Sequence, residues 1–129
     1  IQGLRGHALS PPDLSLAGMK LALVQLRLRD SEKIIDLDAP ANLADRGLRP
    51  SKVATSNRPA SQAVATQLFE EGASGFLWWS TLEAAWINAS LFVERVIGAL
   101  GVVGQPRFLT LRNPELLQAA DRLGIAIEP

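Results

Sequence analysis

The sequence predicts an α+β domain, a mixed β core with flanking helices, on three observations. Short apolar runs with strand character outnumber the helical stretches. Two segments carry both start and stop signals for a helix. Those helices fall between strands rather than in one block. The chain has 129 residues, 47% hydrophobic and 20% charged, which is one domain's length and the composition of an ordinary folded core.

Taken in order, residues 1–13 (IQGLRGHALSPPD) read as the last turns of a helix running into a loop, because Pro11 and Pro12 cannot continue a helix. In MKLALVQLRLRD, Ala22, Val24, Leu26 and Leu28 alternate with Leu23, Gln25, Arg27 and Arg29, the period of two of a strand with one wet face. IIDL, residues 34–37, reads as a short strand, and the Asp, Pro, Asn and Gly after it as a short helix with loops. The clearest helix is 59–71: Asn57 caps it, Pro59 opens it and Gly72 stops it. Val64 and Leu68 share its apolar face with Ala60. GFLWWS and INASLFV read as strands separated by TLEAAW. GALGVVG, residues 98–104, reads as a flexible turn or strand link, with RFLTL as a further strand. In NPELLQAADRLG, Asn113 caps, Pro114 opens and Gly124 closes a second helix, and IAIEP ends as an edge strand or tail.

Composition narrows the function. Lys plus Arg and Asp plus Glu number 13 each, so the net charge is zero and no basic stripe points to nucleic acid. With no cysteine, disulfides and thiol chemistry are excluded, which fits a reducing cytoplasm. No apolar run reaches the ~18 residues of a membrane span. A metal site is not expected, because the single histidine, His7, stands alone and the carboxylates do not cluster at ligand spacing. GALGVVG lacks the spacing and the lysine of a phosphate loop. A Ser–His–Asp hydrolase would have to recruit His7, and GFLWWSTL is not a nucleophile elbow. Asp36 and Asp38 could do acid–base work, but a capping role in the following turn is the favoured reading.

The chemistry-bearing stretch is GFLWWSTLEAAWIN, which holds Trp78, Trp79 and Trp86, all the tryptophans of the chain. Ser80 ends an apolar strand, where a side chain can face a cleft. Asn88 opens the next strand and can reach toward the Ser80 loop. Trp79 or Trp86 offers a flat wall for a planar ligand. The plainer alternative, favoured on spacing alone, buries the tryptophans and leaves Ser80 to open a turn.

Ile35-Asp36-Leu37, Ser61-Gln62-Ala63, Gly72, Gly75, Ser80, Asn88 and Phe92 follow one another in an order that resembles the RES domain, over roughly residues 20–92. RES domains are the toxins of bacterial toxin–antitoxin pairs whose antitoxin is an Xre-type helix-turn-helix protein. The resemblance implies an ADP-ribosyltransferase-like fold with NAD as substrate and cleavage of its nicotinamide–ribose bond by phosphorolysis, hydrolysis or ADP-ribosyl transfer. It implies a cytoplasmic protein with no metal, no direct contact with nucleic acid or membrane, and room for a homo-oligomer. Ser80 takes the place of the family's active-site serine, holding a phosphate or ribose oxygen of NAD; Asn88 and Trp79 are the further candidates for NAD binding. The family's arginine, tyrosine and glutamate have no counterpart here, so the whole chain, residues 1–129, is expected to be one RES-like domain lacking its N-terminal part. In it, residues 1–19 are a helix end and loop, and 93–129 a C-terminal strand and helix extension. The alternative is a non-catalytic interaction domain on a degenerate RES core.

Overall fold

The computed structural model describes residues 7–30 and 32–128. The expected helix end before the prolines falls largely on residues 1–6 and lies outside the described residues. The architecture is mixed α+β, as expected. It divides into two compact units, residues 27–101 and, together, residues 1–26 and 102–129. In the second of these, strand pairing brings the C-terminal segment to the N-terminal one.

In the unit of residues 27–101, β4 (Ile34–Asp36), β5 (Gly75–Trp79) and β6 (Ile87–Leu91) form a three-stranded sheet in that order. β4 runs parallel to β5, with Ile35 opposite Phe76, and β6 runs antiparallel to it, with Phe76 opposite Ser90 and Trp78 opposite Asn88. The crossover from β4 to β5 carries the short helices α1 (Pro40–Ala44) and α2 (Pro50–Val53) and the long helix α3 (Arg58–Glu70). α3 begins where expected: the Asn57 side chain accepts a hydrogen bond from the Ala60 N–H at 3.2 Å. It ends at Gly72, whose φ of +82° a side chain would resist.

Val64 and Leu68 on α3 meet Ile35, Leu37, Leu43, Val53, Ala73 and Phe76 in one buried cluster. Leu68 and Leu37 are wholly inaccessible, and burying a leucine side chain contributes about 2 kcal/mol. After β6, α4 (Val93–Val96) follows with Phe92 at its N-cap position, a turn of helix that begins within INASLFV, the run read as strand.

The other unit holds most of β3 (Ala22–Leu28) and β7 (Leu100–Phe108), paired as a two-stranded sheet. β7 corrects the expectation of a glycine-rich link at 98–104 followed by a separate RFLTL strand. Pairing with β3 takes Gly101 and Gly104 into the strand, Gly104 at a φ of +72° that suits glycine, and Pro106 is tolerated because each strand of a two-stranded sheet has a free edge. Nor does β3 keep one wet face, since Val24 and Leu26 are 47% and 53% exposed. Ahead of it, the hairpin of β1 (Ser15–Leu16) and β2 (Met19–Lys20) turns at Ala17 and Gly18, both with positive φ. α5 (Pro114–Arg122) forms as expected, but the Asn113 carboxamide accepts from Thr110 instead of capping the helix. Leu9, Leu14 and Leu116 make this unit's small core, and Ile127 bridges to Leu9.

Two predictions follow from this packing. A Cβ on Gly75 would lie 2.5 Å from the Ser90 carbonyl oxygen, so Gly75→Ala should cost about 1–3 kcal/mol of unfolding free energy. An unchanged denaturant midpoint would contradict the β5–β6 register. Asp13 accepts from both the hydroxyl and the N–H of Ser10, and these bonds hold its carboxyl below the usual carboxylate range. A depressed folded value stabilises above the usual range and loses that stabilisation as pH falls through the folded value. Asp13→Asn should therefore be less stable than the parent at neutral pH, by a gap that closes in acid. A gap independent of pH would count against the role of Asp13.

Candidate functional site

The site begins with the entry to β5. Ser74 is buried, and its backbone ties three segments together: its N–H donates to the Lys33 carbonyl at 2.8 Å and its carbonyl accepts from the Phe92 N–H at 2.9 Å. Its hydroxyl donates to the Glu32 carboxylate at 2.6 Å. From that fixed start, residues alternate across the pleat, and directly opposed residues of antiparallel strands share a face. Phe76 and Trp78 therefore stand on one face with Ser90 and Asn88, and Leu77 and Trp79 on the other with Ala89 and Ile87.

The first of these faces forms one side of a groove of about 620 Å³ whose other side comes from α3 and the loop before it. Trp78 donates its indole N–H to the Ser90 hydroxyl at 3.0 Å, which settles the tilt of the ring. Phe92 meets Phe76 at 6.1 Å between ring centroids and Phe69 edge-on at 5.1 Å. Arg58, Ser61 and Gln62 line the helix side, with Thr55 from the preceding loop. Among the described residues no carboxylate lines the groove.

The residues singled out from the sequence are divided by this geometry. Asn88 shares the groove's face of the sheet, half-buried and directly across from Trp78. Trp79 belongs to the opposite side of the pleat and touches the core cluster. Ser80 follows the last residue of β5. It is 9% exposed, its N–H donates to the Trp86 carbonyl at 2.7 Å, and its hydroxyl accepts from the Leu82 N–H at 3.1 Å. Ser80 thus organises the turn between β5 and β6 and retains a hydroxyl proton to donate. Neither Ser80, Asn88 nor Trp79 is among the groove's lining residues.

Asp36 spends one carboxylate oxygen on the Asp38 N–H at 2.9 Å, the capping role expected of the pair. Among the described residues no group of three potential ligands stands close enough to hold a metal, and no helix is long and apolar enough to cross a membrane.

Sequence reasoning missed Trp78, Ser90 and Arg58. Counting the strand period from buried Phe76 would have selected Trp78 over Trp79, but the hydrogen bond from Trp78 to Ser90 needs the β5–β6 register. Two other hollows are poorer in converging groups. One of about 450 Å³ lies along the opposite flank of α3 beside Arg49 and Lys52. Another of about 690 Å³, in the unit of residues 1–26 and 102–129, is walled chiefly by Leu14, Phe108, Leu109 and Leu111. A concave site that joins an aromatic wall to a few aimed polar groups is the better candidate for a small ligand. The chain matches no protein-family model, no curated protein and no solved structure.

Proposed function

We propose that the chain is part of an NAD-consuming toxin of the RES type, built on an ADP-ribosyltransferase-like core and restrained in the cytoplasm by an Xre-type helix-turn-helix antitoxin. One observation carries the reading. The RES-like residues, spread from Ile35 to Phe92, converge on a single sheet and the helix that covers it: β4 holds Ile35 and Asp36, β5 begins at Gly75, β6 holds Asn88, and α3 holds Ser61 to Ala63. The two glycines of the pattern also have physical reasons to be glycine. Gly72 sits at positive φ, and Gly75 lies where a Cβ would strike the Ser90 backbone.

In this reading the face of Trp78 and Asn88 receives NAD, with Ser80 at its margin. Cleavage of the nicotinamide–ribose bond passes through a ribosyl cation, so the chemistry asks for a carboxylate near the ribose and for cationic and hydroxyl groups on the diphosphate. Arg58, Ser61 and Thr55 supply groups of the second kind. The carboxylate, with the family's arginine and tyrosine, must come from outside the groove, so the activity belongs to the full-length protein.

Ser80→Ala in the full-length protein should relieve growth arrest on expression. Loss of the Leu82 N–H bond costs the turn about 1 kcal/mol, too little to unfold a domain. Undiminished arrest by a folded Ser80→Ala protein, checked by circular dichroism, would contradict the reading.

A further inference from the structure

We propose that the groove between α3 and the sheet binds the adenylate half of a nucleotide, with the ring against Trp78 and the phosphate at Arg58. The inference rests on the reading above for its choice of NAD as the parent ligand, and on the groove alone for its chemistry.

Three features of the lining point to a planar anion. The first is the wall. Because the Trp78 N–H is already spent on Ser90, the indole has no donor left to offer, and it is held in one orientation before any ligand arrives. What remains is the ring's π surface, which suits a stacked planar ring, and prior immobilisation lowers the entropy cost of binding.

The second is charge. Among the described residues Arg58 is the only charged one that lines the groove, and it makes no ion pair with any of them. A guanidinium without an ion-pair partner, in a lining whose described residues include no carboxylate, favours an anion and disfavours a cationic ligand. Its planar fork matches two phosphate oxygens. The positive end of α3 is not what supplies the attraction, since Asn57 already accepts from the Ala60 N–H and from the Ser61 N–H.

The third is the supply of neutral polar groups on the helix side of the groove. Gln62 is exposed and, among the described residues, its carboxamide makes no hydrogen bond within the chain. It can offer a donor and an acceptor together. Ser61 gives its hydroxyl proton to the Arg58 carbonyl at 3.0 Å and keeps acceptor capacity. A volume of about 620 Å³ falls within the range of nucleotide-sized pockets.

The test is calorimetric titration of the chain with AMP, adenosine and inorganic phosphate, repeated with Arg58→Ala and Trp78→Phe. Arg58 is exposed and contributes only its backbone to the helix's hydrogen bonds, so its replacement leaves the fold intact. AMP should bind at least about ten-fold more tightly than adenosine, and Arg58→Ala should erase that difference. Trp78→Phe should weaken AMP and adenosine alike. Equal affinity for AMP and adenosine, or AMP binding that Arg58→Ala leaves unchanged, would overturn the proposal.

The two readings fail separately. AMP binding by a chain whose full-length protein leaves NAD intact keeps the nucleotide site and removes the toxin. NAD consumption by a full-length protein whose KM for NAD ignores Arg58→Ala removes the nucleotide site and keeps the toxin.

Discussion

The C-terminal end of α3 is the constraint on which the rest of the unit of residues 27–101 depends. A helix ends with carbonyls that have no partner in the helix and with a partial negative charge, and both must be answered. Here cations from distant parts of the chain answer them. Arg95 donates to the carbonyls of Phe69 and Ala73 at 2.7 and 2.6 Å, with its guanidinium 4.0 Å from the centre of the Phe69 ring. Lys33 donates to the Glu71 carbonyl at 2.9 Å, and Arg46 pairs with the Glu71 carboxylate at 2.8 Å. One helix end thereby fastens the segment before β4, the α1 loop and α4. The Arg46 pair is partly shielded from water and each bond is modest alone, but together they determine where β5 can start.

Everything that bears on function is downstream of that start. With Ser74 held by Lys33, Glu32 and Phe92, and Gly75 pressed against the Ser90 backbone, β5 has no freedom to slip by one residue. A one-residue slip would carry Trp78 to the other face and bring Trp79 to the groove. The groove's aromatic wall therefore depends on the helix end just before β5, and its charge on Arg58 at the other end of the same helix. α3 links the two.

Local signals in the sequence were enough for α3, because Asn57, Pro59 and Gly72 act within one or two turns of the helix they delimit. The role of Asp36 was legible for the same reason. β7 was not, since its glycines and Pro106 argue locally for a link and only pairing with β3 makes a strand of them. The site was legible in part. The stretch with all three tryptophans lends Phe76 and Trp78 to the groove, and Asn88 shares their face of the sheet without lining it. Choosing between Trp78 and Trp79 required the strand's phase, which is set by Ser74 contacts with residues more than forty positions upstream. Arg58 gave no signal at all, as an exposed arginine at a helix start has no distinctive spacing.

The most direct measurement is to incubate the purified full-length protein with NAD and follow the nicotinamide resonances by proton NMR, with and without added phosphate. The account predicts that free nicotinamide appears and NAD is lost, with the phosphate dependence distinguishing phosphorolysis from hydrolysis. NAD that persists unchanged beside folded, antitoxin-free protein, both with and without phosphate and a cell extract as acceptor, would contradict it.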